Sequence, residues 1–181
     1  MIRGPFGPGT FVLGGGALIL FGVLVLGFFL PTDWAVDAEA HIDADVPQLL
    51  TWLDSPEGWQ AWTTWPDSGL SRSGPERGSG SAMSWDDQEL GSGTFRIDQV
   101  TGSSVSYAVE VAGAGGTVMG TRGTIELEPD GTGVRVRWHE EGDLGRNPIM
   151  GFWALSMERA QTAELGKSLD RLTQLVGSAD P

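Results

Sequence analysis

The chain has 181 residues, with 24 acidic and 11 basic side chains and a formal net charge of −13. That balance works against nucleic acid and anionic lipid headgroups as partners. The absence of cysteine excludes disulfides, thiolate catalysis and cysteine-based metal sites.

Phe11 to Leu30 is an apolar run without a charged, polar or proline side chain. At a rise of ~1.5 Å per residue such a run spans roughly 30 Å, the hydrocarbon thickness of a bilayer. It is too long for the h-region of a signal peptide, and the small-x-small set Ala38-Glu39-Ala40 lies well beyond its end. The expectation is therefore an uncleaved single-pass membrane helix. Arg3 before the run, with Asp33, Asp37 and Glu39 after it, predicts a cytoplasmic N-terminus and an extracytoplasmic C-terminal domain. The domain division that follows is 1–31 for the stub and transmembrane helix and 32–181 for one folded domain, large enough for a real core.

Trp34 to Ile42 alternates apolar and polar residues and reads as a half-buried strand. Asp45 caps a short helix containing Val46, Leu49, Leu50 and Leu53. Ser55 at N-cap and Pro56 at N1 open a second, which carries Trp59 and Trp62 and ends near Trp65-Pro66. Residues 69–81 are a low-complexity loop around a short strand. Period-two patterns then give strands over Ser81–Asp86, Gly93–Val100, Ser103–Val111 and Thr117–Glu128. Pro129-Asp130-Gly131 turns the chain into a further strand over Thr132–Glu140. Such alternation describes an antiparallel sheet with one apolar face. After a loop at Glu141–Pro148, Trp153, Met157, Ala160, Leu165, Leu169, Leu172 and Val176 follow a helical period over about Gly151 to Val176. Gly166 inside that helix is expected to mark close packing on the sheet. The fold class is α+β.

Alternation gives the sheet an inward face carrying Met83, Trp85, Phe95, Tyr107, Met119, Thr121 and Trp138. Trp62, Trp153 and Met157 are expected to join it from the helices. Such a lining suits an apolar or aromatic ligand, and it equally suits a filled core. Glu140 falls in register with Val134, Val136 and Trp138, hence inward at the end of the last strand; if the strand ends or twists at His139, Glu140 is solvated instead. An inward carboxyl beside indole has a raised pKa and can act as a general acid or base, so Glu140 with Tyr107 is the candidate catalytic pair. Arg122 points outward by alternation, or inward if Gly120 and Gly123 introduce a bulge. His41 and His139 read as outward-facing, which argues against a histidine triad or metal site. No cofactor is implied.

Three groups of residues resemble the START-like (SRPBCC) superfamily, specifically its polyketide cyclase/dehydrase and lipid-transport group. They are Ser55-Pro56-Glu57-x-Trp59-x-x-Trp62; the block from Ser73-Gly74-Pro75 through Trp85 to Gly91-Ser92-Gly93; and Gly131-Thr132-Gly133-Val134-x-Val136-x-Trp138 with the loop at Gly142–Pro148. The resemblance covers roughly residues 34–178. It implies a helix-grip fold, in which a curved antiparallel sheet wraps the C-terminal helix around a cavity for an apolar molecule. The expected function is a membrane-tethered binding domain holding a hydrophobic small molecule or lipid; the sequence does not set its oligomeric state, with a monomer favoured. The alternatives are a cyclase/dehydratase-like enzyme using Glu140 and Tyr107, and an acidic module recruiting a basic protein.

Overall fold

The computed structural model describes residues 21–88, 91–112, 118–144 and 150–178. The element order is β1 (Asp33–Ile42), α1 (Val46–Leu53), α2 (Pro56–Gln60), β2 (Ser71–Ser73), β3 (Ala82–Asp87), β4 (Gly91–Val100), β5 (Ser104–Ala112), β6 (Val118–Asp130), β7 (Gly133–Asp143) and α3 (Met150–Ser178). The strands form one seven-stranded antiparallel sheet in the order β1-β7-β6-β5-β4-β3-β2. With α3 laid against it, this is the helix-grip α+β architecture.

Local chemistry sets the elements. The Asp45 carboxylate accepts from the Gln48 amide at 2.8 Å, and Ser55 Oγ accepts from the Gly58 amide at 3.2 Å, so both short helices begin on side-chain caps. The second helix ends at Gln60, earlier than its tryptophans suggest. Trp62 then sits in a turn whose amide donates to the Trp59 carbonyl at 3.2 Å. A Cβ at Gly58 would run into the Trp52 backbone, so this glycine is what allows α1 and α2 to pack closely.

The β6–β7 hairpin is one residue later than the Asp-Gly pair predicts. Asp130 pairs with Gly133, which leaves Gly131-Thr132 as the two-residue loop, and Gly131 supplies the positive φ of 66°. β7 continues to Asp143, so Glu140 is an interior strand residue rather than a terminal one. The sheet's register shift lies in β4 between Ile97 and Gln99, not beside Gly120 and Gly123, and Arg122 is exposed.

The core lies between the sheet and α3. Leu165, Leu169, Leu172 and Val176 present one buried stripe to Ile42, Ile97, Val105, Ile125, Leu127, Val134 and Val136. Gly166 is not a close-packing site, since a Cβ there would meet nothing within 4 Å. It lies one position round from Leu165, off the buried stripe.

The single-pass membrane expectation is corrected: among the described residues no helix is long and apolar enough to cross a membrane. The extracytoplasmic placement of the domain falls with it. Residues 11–20 of the apolar run lie outside the described residues. Over 21–27 the chain is helical for about 10 Å. The amides of Phe28, Phe29 and Leu30 then bond back three residues, to Val25, Leu26 and Gly27, which tightens and ends the helix. Leu30 and the Gly27 carbonyl come to rest beside Gly151 of α3.

Candidate functional site

A cavity of about 310 Å³ opens between the sheet, α3 and the segment that follows α2. Trp59, Trp65, Trp85, Phe95, Tyr107, Trp138, Val109, Val111 and Leu165 supply most of its wall. Thr63, Thr64, Glu140, Gln161, Glu164 and Ser168 supply polar groups, and Pro66 completes the rim.

Trp59 organises the aromatic wall. Its ring centroid lies 4.6 Å from Tyr107, 4.7 Å from Trp62, 5.0 Å from Phe95 and 5.8 Å from Trp138. Its indole N–H donates to the Leu53 carbonyl at 2.7 Å, so the ring is tied to α1 as well as packed. Trp65 stacks edge-on to Trp85 and Phe95, at 5.9 and 5.5 Å.

Glu140 and Tyr107 meet although a whole strand separates them. Tyr107 on β5 pairs with Gly123 on β6, and Gly123 pairs in turn with Glu140 on β7. A Cβ at Gly123 would overlap the phenol ring. Its absence lets the ring lie across β6 and its O–H donate to Glu140 Oε1. The Trp138 indole N–H donates to Tyr107 Oη at 2.8 Å, and the Gln161 amide donates to Glu140 Oε2 at 2.6 Å. The same aromatic-over-glycine device recurs where Trp85 covers Gly93 and Trp34 covers Gly142.

Glu140 is only 5% exposed. Burial pushes its carboxyl above the ordinary carboxylate value, against the hydrogen bonds from Tyr107 and Gln161 and the charge of His139, which pull it down. Burial, then the charge and hydrogen bond of Glu140, hold the Tyr107 phenol well above its usual value. Glu164 behaves oppositely. Burial raises its carboxyl, but hydrogen bonds from Thr64 and Arg171 and the charges of Arg171 and Lys167 outweigh that and leave it lowered.

A pH dependence follows. Folded Glu140 holds its proton to a higher pH than unfolded Glu140 does. Between the ordinary carboxylate value and the raised one, stability therefore falls as pH rises; beyond that window it levels off. Glu140→Gln is expected to remove this fall, so that the variant gains on the wild type as pH increases through the window. Urea unfolding of both proteins across pH 4–8 checks it, and a difference that stays constant with pH would refute it.

Of the residues expected at the site, Trp85, Phe95, Tyr107, Trp138 and Glu140 line the cavity. The others do not reach its wall. Trp62 is wholly buried behind it, against Trp59 and Trp138. Met83 is buried opposite Phe95. Met119 is half-buried near the start of β6, and Thr121 borders a separate polar depression with Arg122 and Glu141. Trp153 is 60% exposed and Met157 half-buried. At 100° per residue, Trp153 lies about 120° round the helix from Leu165 and Met157 about 80°, which takes both off the facing stripe. Gln161, only about 40° away, does face the cavity. It escaped notice as a polar residue, yet its i, i+4 relation to Leu165 marks the face. His41 and His139 point outward, His139 to Asp37 at 2.8 Å.

The polyketide cyclase / dehydrase and lipid transport family matches residues 33–177. Nothing among curated proteins matches the sequence. Among solved structures, hypothetical protein jhp0584 from Helicobacter pylori has a TM-score of 0.62 at 12% identity, over 80% of this chain and 89% of that one. TTHA0849 from Thermus thermophilus has a TM-score of 0.60 at 18% identity, over 81% of this chain and 99% of that one. DynU16, from the dynemicin biosynthetic locus, has 0.56 at 14%, over 81% of this chain and 48% of that one. At such identities these likenesses establish a shared fold. The family match over most of the chain, on a helix-grip scaffold that encloses a cavity, makes this protein a member of the polyketide cyclase / dehydrase and lipid transport family, a ligand-binding or cyclase-like domain.

Proposed function

We propose that the protein binds a hydrophobic small molecule in the cavity between its sheet and α3, with the polar group of that molecule turned toward Glu140. The observation that carries this reading is the cavity itself: about 310 Å³, walled mainly by aromatic rings, with one buried carboxyl facing into it. Its volume lies at the small end of the ~300–1,000 Å³ typical of ligand sites. The family's description, which includes lipid transport, supports the same class of ligand.

A catalytic reading rests on the same carboxyl. Burial raises the Glu140 carboxyl above its ordinary value, and Tyr107 and Gln161 hold its orientation, as a general acid or base requires. Native mass spectrometry of the full chain, followed by organic extraction, tests both. A co-purifying apolar species that Trp85→Ala releases is the expected result. Conversion of that species by the wild type, halted in Glu140→Gln, identifies an enzyme; binding without conversion identifies a carrier. A clean unliganded mass, with no stabilisation across a panel of apolar and aromatic compounds, would overturn the binding reading.

A further inference from the structure

We infer that the ligand of this cavity is an organic cation, an alkylated or protonated amine attached to a compact apolar body. The inference rests on the binding reading above and narrows it by charge.

Three observations carry it. Six aromatic rings line one small cavity, and aromatic faces attract cations through their quadrupoles, most strongly where water is excluded. Among the described lining residues none is basic, while two are carboxylic acids. Those two acids differ: Glu164 is already engaged by Arg171 at 2.9 Å and lies near Lys167 at 4.0 Å, whereas Glu140 is held by neutral hydrogen-bond donors, Tyr107 and Gln161, and no described ion pair reaches it.

Each Glu140 oxygen accepts one of those neutral bonds and keeps further acceptor capacity for a donor or a positive charge. Burial opposes a bare charge at this position. A cation seated beside Glu140 supplies the direct ion pair that no described side chain makes with it. An anionic ligand would meet Glu140 without a compensating base. A neutral ligand can donate a hydrogen bond to Glu140 but brings it no counter-charge. The chain's net charge of −13 also draws cations toward the site.

The test uses two probes of nearly identical shape. Benzyltrimethylammonium carries a fixed positive charge; neopentylbenzene replaces its nitrogen with carbon and is neutral. Quenching of tryptophan fluorescence in the full-length protein at pH 8 reads both affinities. The cation is expected to bind roughly 10-fold tighter or better. Glu140→Gln is expected to erase most of that preference. Equal or tighter binding of neopentylbenzene to the wild type would overturn the inference and leave the apolar cavity standing. No binding of either probe at millimolar concentration would overturn both. The comparison in the wild type decides the matter even if the variant folds poorly.

Discussion

Trp59→Ala lowers the stability of the fold by about 4 kcal/mol, the largest loss expected from any single truncation here. The indole is 2% exposed and touches four other rings, from the turn after α2 and from β4, β5 and β7. Removing it forfeits the transfer energy of the largest side chain. It also opens a void that its neighbours cannot fill, because Phe95, Tyr107 and Trp138 are each fixed by their own strand. The Leu53 carbonyl loses its donor as well, which costs about a further 1 kcal/mol. For a domain of this size the melting temperature should drop on the order of 10 °C. Trp65→Ala provides the comparison: Trp65 is only half-buried at the cavity rim and should cost far less. Urea unfolding of the two variants decides it, and a Trp59 loss near 1 kcal/mol would mean that the aromatic cluster collapses freely into the gap.

The sheet was largely legible in the sequence because strand alternation has period two and tolerates no drift. β7 illustrates this: Val134, Val136, Trp138 and Glu140 are buried, while Arg137, His139 and Glu141 face water. The inward position of Glu140 could be read from that pattern. What it touches could not. Tyr107 reaches it only because β5, β6 and β7 are in a register that places Gly123 between them, and register is a property of paired strands rather than of one.

The helix was less legible than its stripe suggests. Steps of four residues drift by about 40° each, so a series that begins on the cavity at Gln161 leaves it by Trp153. Gln161 itself carries no apolar signal, and its role depends on how α3 docks. For Phe11 to Leu30, hydropathy scores composition and not backbone bonding: among the described residues only 21–27 are helical before the amides of Phe28, Phe29 and Leu30 bond back three residues.

Gly123→Ala is expected to cost about 2 kcal/mol, although alanine is the smallest side chain that can be added. The new Cβ would overlap the Tyr107 ring at Cζ and Oη. That ring has no free space to swing into, because Trp59 packs on it at 4.6 Å and Phe95 at 5.3 Å. Relief must come from displacing the phenol, which breaks the Trp138–Tyr107–Glu140 chain and leaves a buried carboxyl with Gln161 as its described donor. Gly120→Ala is the control three residues away on the same strand: a Cβ there meets nothing within 4 Å, so its effect should stay within about 0.5 kcal/mol. A double-mutant cycle isolates the cause. In a Tyr107→Ala background the space above Gly123 is vacant, and Gly123→Ala should become nearly neutral, giving a coupling of about 1.5 kcal/mol. If Gly123→Ala costs the same in both backgrounds, the glycine serves the strand and not the tyrosine, and the positioning of Glu140 must have another source.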